Sequence, residues 1–204
     1  MKATVTIARL IAGLLFIFSG LVKAIDPRGL AYKMEEFFEV WANAGFMKGL
    51  METLTHYSLT FSIIMITLEV VLGLALLIGW QKKFTAWMIL LLVLFFTFLT
   101  AYVLFSGKIR ACGCFGDCIP LTPVQTFSKD IVLLILAIIL VLQTKYIKPL
   151  AKPFFSFLYI AAATIFTLAL QFYVLKHMPL ADCLPYKKGN DILKLREMPA
   201  DAIQ

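Results

Sequence analysis

Five apolar runs leave this chain few alternatives for its fold: Ile7 to Ile25, Leu59 to Trp80, Phe84 to Ser106, Ile131 to Tyr146 with its flanks, and Phe154 to Leu175. A helix needs about 20 mostly apolar residues to cross a bilayer, and in hydrocarbon its backbone polar groups must be satisfied within the segment itself. The chain therefore reads as an all-α membrane protein with five transmembrane helices. Composition agrees: 61% of the 204 residues are hydrophobic and 15% are charged, with a mean hydropathy of +0.90, outside the range of an ordinary soluble domain. Lys2 and "VKA" at 22–24 faintly suggest a cleaved secretory signal, but the length of the run favours a span. A formal charge of +7 invites a nucleic-acid reading. The basic residues, however, are spread through loops with no dense patch of interleaved aromatics, so membrane lipid is the expected partner and nucleic acid is not.

Five spans place the two termini on opposite sides of the membrane. Short basic loops set orientation more strongly than long ones, and Lys82–Lys83 and Lys145, Lys148 and Lys152 lie in the short connections. The charge rule thus leans toward an N-terminus inside the cell, although the longer outer segments carry more basic residues in total. That orientation puts Cys112, Cys114, Cys118 and Cys183 on the outer side, where an oxidising compartment gives thiol pairs structural or exchange chemistry.

After the first span, "DPRGLAYKMEEFFEVWANAG" opens with Asp26 as a helix cap and Pro27 at the first helical position. Leu30, Met34, Phe37, Phe38 and Trp41 then recur at helical spacing, opposite Lys33, Glu35, Glu36 and Glu39. This reads as an amphipathic helix at the outer interface, and more readily as a lid packed on the bundle with no binding role than as a binding element. Within the second span, Glu69 falls near mid-membrane, where a carboxylate is costly and must be protonated or paired. Its candidate partners are Lys23 near the end of the first span, or polar groups such as Ser19. Gly73 and Gly79 following it predict close helix contact. Gln171 is isolated in the fifth span and reads as a helix–helix hydrogen bond rather than as part of a polar pathway.

Three of the four cysteines lie in "ACGCFGDC" at 111–118. Thr122, Pro123 and Gln125 fit a capping box with proline at the first helical position, so the fourth span is expected to start there. Cys118 would precede a helix N-terminus, whose partial positive charge favours thiolate, as Lys108 and Arg110 do for Cys112; Asp117 opposes them. Gly113 and Gly116 relax the loop backbone, and Cys118 pairs more easily with Cys112 or Cys114 than those two pair with each other. Cys183, in "PLADCLPYKKG" beyond the fifth span, lies on the same face. A thiol near a loop pair is what exchange requires: attack, mixed disulfide, resolution. The alternatives are inert disulfides tying loop to tail, a thiolate metal site, or unpaired thiols. C-x-C-x3-C lacks the C-x2-C spacing of metal knuckles, so no metal is expected.

The residues "RLIAGLLFIFSGLVKAIDPRGLAYKMEEFF" at 9–38, "LEVVLGLALLIGW" at 68–80 and "CGCFGDCIPLTPVQTFSKD" at 112–130 resemble the DoxX/MauE-type redox-associated membrane proteins over nearly the whole chain apart from the last dozen residues. The resemblance implies a four-helix-bundle core plus an extra span, in the bacterial cytoplasmic (inner) membrane. It also implies a link to making or maintaining disulfides in exported proteins, with quinone as a further electron acceptor. Cys112 and Cys114 match the family loop; Cys118 and Cys183 are additional site residues.

The leading reading is a periplasm-facing thiol–disulfide redox protein. In it Cys112, Cys114 and Cys118 form the membrane-proximal centre and Cys183 shuttles electrons to or from a thioredoxin-like protein or exported client. Trp41 and Glu69 are the residues expected near a quinone, with Glu69 or Asp130 relaying protons. The rival is a non-enzymatic subunit of an envelope complex for export or folding, with structural disulfides. The expected organisation is a transmembrane bundle over residues 1–180, including an interfacial helix at 26–50 and a cysteine loop at 107–122, then a polar tail at 181–204.

Overall fold

A computed structural model describes residues 2–106 and 122–177. Every regular element among them is helical: α1 (Lys2–Ala24), α2 (Pro27–Asn43), α3 (Lys48–His56), α4 (Ser58–Ile78), α5 (Lys82–Ser106), α6 (Pro123–Leu142) and α7 (Pro153–His177), with a 3-10 turn at Thr144–Tyr146. Five of these, α1, α4, α5, α6 and α7, are long and apolar enough to cross a membrane, and they coincide with the five apolar runs. The chain is a multi-pass membrane protein.

Four of the spans form a ring. α1 lies along α4 in the most extensive contact and α5 pairs with α6, while α1–α6 and α4–α5 contacts close the ring; α7 lies outside, chiefly against α4. The α1–α4 contact is close because Gly13 faces Gly73: a Cβ at Gly73 would stand 2.9 Å from the Gly13 carbonyl oxygen. Small residues let backbones approach where lipid supplies no hydrophobic drive for helix association. Gly79 instead caps α4 in a left-handed conformation with φ 76°, the usual use of glycine after a helix. α7 is tied to α4 by Gln171, whose Nε2 donates to Thr67 Oγ1 at 3.0 Å, the helix–helix bond expected of it.

The local start signals work as read. Asp26 accepts from Gly29 N at 3.0 Å with Pro27 in the first turn of α2. At α6, Thr122 Oγ1 accepts from Gln125 N while Gln125 Oε1 accepts from Thr122 N. The fourth span accordingly begins eight residues before Ile131, on the capping box.

The segment at 26–50 differs from a single interfacial helix. α2 ends at Asn43, the chain turns through Gly45 (φ 82°) and Met47 (φ 41°), and a separate short helix α3 follows. α2 buries Leu30, Met34, Phe37 and Phe38 against the bundle, with Trp41 half-buried, so it packs as a lid over one end of the ring.

Candidate functional site

The charged residues inside the ring define the site. Lys23, in the last turn of α1, turns inward and places Nζ 2.8 and 2.7 Å from Glu69 Oε1 and Oε2. Ser19, one turn earlier on α1, donates to Oε1 at 3.0 Å. The ammonium also sits 4.4 Å from the Phe96 ring centroid, a cation–π contact. Both charges are almost fully enclosed, at 2% exposure for Lys23 and 4% for Glu69. Isolated charges at that depth would be prohibitive, and pairing with further hydrogen bonds is what makes them tolerable. Glu69 is therefore paired, and the two candidates named as alternatives are both bonded to it.

A second pair faces the same space from α6. Asp130 Oδ2 accepts from Thr100 Oγ1 of α5 at 3.0 Å, and Lys129 Nζ lies 3.0 Å from Oδ1. Asp130 is buried, while the Lys129 side chain keeps 20% of its surface exposed, as a long amine does when its stem lies on apolar surface. The two pairs share a cavity of about 20 Å³ whose lining includes Ser19, Lys23, Glu69, Lys129 and Asp130 among Phe16, Val93, Phe96 and Leu133. This is room for about one water molecule, which needs at least ~10–15 Å³ and several polar partners.

The position of this cavity along the bundle matters. Thr100 is six residues from the end of α5 and Asp130 seven from the start of α6, roughly 10 Å along each helix. Those two helix ends bracket the segment that carries Cys112, Cys114 and Cys118. These three cysteines, and Cys183 beyond the end of α7, lie outside the described residues, as does the polar tail.

Trp41 occupies a different place. With Ala44, Phe46, Phe98 and Tyr102 it lines an apolar groove of about 410 Å³ between the end of α2 and α5, its ring centroid 5.8 Å from Phe98 and 5.7 Å from Tyr102. Phe98 is 56% exposed on a spanning helix, so the groove opens on the lipid-facing side. The structure thus separates Trp41 from Glu69: one borders an open aromatic groove, the other a polar cavity inside the ring.

Arg9, near the start of α1, is a buried structural residue. Its Nε donates to Leu76 O at 2.7 Å and its Nη1 to Lys148 O at 2.8 Å, with Nη2 on Leu77 O. Leu76 O and Leu77 O lie in the last turn of α4, where carbonyls run out of helical partners, and Leu76 O also accepts from Gly79 N at 3.1 Å; the third carbonyl comes from the α6–α7 connection. The available signal was an arginine two residues inside an apolar run, where a guanidinium must find several acceptors. Thr100, the partner of Asp130, gave no such signal.

The family model described as methylamine utilisation protein MauE matches residues 1–143, which end with α6. Among curated proteins, Protein TlpB of Flavobacterium psychrophilum is 30% identical over 135 residues, 65% of this chain and 35% of that protein. The chain spans about a third of the length of this relative. No solved structure matches it.

Proposed function

The chain belongs to the MauE family, and from that premise we propose that it is a membrane thiol–disulfide redox protein, in which Cys112, Cys114 and Cys118 exchange electrons with Cys183 and with a thioredoxin-like or exported client. A thiolate attacks a disulfide sulfur, a mixed disulfide forms, and a second thiolate resolves it. One dithiol is oxidised as one disulfide is reduced, so electrons and protons balance without a further reagent. On this reading the protein lies in the inner membrane with the N-terminus in the cytoplasm and the cysteines and C-terminus in the periplasm.

The observation that carries the proposal is the charged cavity. A bundle in lipid has no packing need for two buried ion pairs, and intramembrane ionisable groups mark function by default. Here Asp130 and its partner Thr100 sit roughly 10 Å along α6 and α5 from the helix ends that flank the cysteine loop, and the Lys23–Glu69 pair borders the same cavity.

A quinone is the proposed terminal acceptor; when bound it takes up two electrons and two protons as a dithiol becomes a disulfide. The cavity beside Glu69, at about 20 Å³, is too small for such a ring. The groove at Trp41, at about 410 Å³, is within the size range of small-molecule pockets, roughly 300–1,000 Å³, and its aromatic walls suit a flat ring. Trp41 is thus assigned to binding the ring, while Glu69 and Asp130 are assigned to the polar interior. Absence of quinone reduction by purified protein supplied with a thiol donor would remove this part.

The main test is thiol counting with a membrane-impermeant, mass-tagged maleimide on intact cells, with and without mild reductant. The expected result is labelling from outside only after reduction, with mixed-disulfide adducts trapped in Cys118→Ser or Cys183→Ser. Disulfides that resist mild reduction and trap nothing would overturn the proposal. They would favour the second reading, an accessory subunit of an envelope export or folding complex with structural disulfides, which the fully paired state of Lys23 and Glu69 also suits.

A further inference from the structure

At the end of the bundle where α7 finishes, a cleft of about 230 Å³ lies between the α1–α2 corner and the last turn of α7. Asp26, Pro27 and Arg28 form one wall, and Val174 to His177 form the other. We propose that this cleft binds the phosphate headgroup of an anionic phospholipid. The inference is independent of the redox reading, because it uses none of the cysteines and none of the groups around Glu69.

Charge is the first argument. Arg28 and Lys176 are both exposed at the mouth, and His177 adds a third nitrogen-bearing side chain. The one acid, Asp26, commits Oδ1 to the Gly29 amide as the cap of α2. The cleft therefore presents two full positive charges against one carboxylate already engaged. Basic pockets at the ends of membrane helices select anionic headgroups in this way. A zwitterionic lipid brings its own ammonium and gains less.

Depth and shape are the second argument, and they separate a lipid from a phosphate dissolved in water. The floor of the cleft is apolar: Pro27 and Val174 are buried and Leu175 is half-buried. Immediately below the mouth on α7, Phe172 and Tyr173 are 60% and 51% exposed, and Tyr173 stacks on His177 with ring centroids 4.5 Å apart and planes 20° apart. Exposed aromatic rings at the end of a spanning helix mark the membrane–water boundary. Farther along, Ile165 and Phe166 are also exposed. A headgroup seated between Arg28 and Lys176 can run its acyl chains along this face, whereas a free phosphate has no use for it.

The test is native mass spectrometry of the full chain released from nanodiscs containing phosphatidylcholine and phosphatidylglycerol in equal amounts. The expected result is one phosphatidylglycerol retained in preference to phosphatidylcholine. Each cation removed is expected to weaken that preference about 5-fold, from the worth of one basic residue at a membrane surface. Arg28→Gln with Lys176→Gln should thus nearly abolish it, and Arg28→Lys should restore part of it. Both residues are exposed, and an unchanged melting temperature will show that the double variant is folded. Equal retention of the two lipids, or a preference unaltered in the double variant, would overturn the proposal. Displacement of the retained lipid by millimolar inorganic phosphate would overturn it as well, by assigning the cleft to a soluble anion.

Discussion

Arg9 and Lys23 are two buried cations near opposite ends of the same helix, and the protein neutralises them by different means. Arg9 donates to backbone carbonyls at the end of α4 and to Lys148 O, acceptors that carry no net charge. Lys23 meets a full carboxylate, two hydrogen bonds deep, beside a cavity that holds a second acid and a second amine. The first arrangement is a staple: a planar fork of donors matched to a fixed set of carbonyls. The second gathers two acids and two amines around one small cavity, charge placed where apolar packing alone would have sufficed. The end of α5 and the start of α6 lie at the end of the ring where the second arrangement is found.

Four variants would break or sharpen this contrast. Glu69→Ala should have the largest effect, a loss of about 3–5 kcal/mol, because it strands the Lys23 ammonium in an apolar interior. Replacing both partners, Lys23→Met with Glu69→Leu, should recover most of that loss while leaving any thiol chemistry impaired. Unfolding in mixed detergent, followed by circular dichroism, measures both; a Glu69→Ala protein as stable as the parent would show that Lys23 finds another partner. Arg9→Lys comes next, at about 2–3 kcal/mol, since an ammonium keeps the charge but loses the fork and leaves carbonyls unpaired. If that variant unfolds with the parent, charge alone holds the end of α4. Ser19→Ala should cost least, about 1 kcal/mol for one hydrogen bond to an acid that keeps Lys23, and a larger loss would mean that Ser19 sets the Lys23–Glu69 geometry.

What the sequence disclosed follows the range of each interaction. The caps at Asp26 and Thr122 act over three residues, and both were legible, Thr122 together with its partner Gln125. The five spans follow from continuous hydropathy, and the pairing of Glu69 from the cost of an acid at that depth, which singles out Lys23 and Ser19. Arg9 and Lys148 O are 139 positions apart, and nothing local to either announces the other. The short helix α3 escaped because nine residues with one buried side chain, Met51, carry almost no periodic signal. Trp41 and Glu69 are both polar-tipped or charged residues in apolar surroundings, and only the packing of α2 over α5 tells which borders an open groove.

The placement of α7 outside the ring has a consequence of parity. The matched family region ends at residue 143, with α6, and four crossings alone would return the chain to the side from which it started. The fifth crossing reverses that outcome. It brings His177, the last residue of α7, to the end of the bundle where α5 finishes and α6 begins, so a helix that contributes little to the core turns an even number of crossings into an odd one.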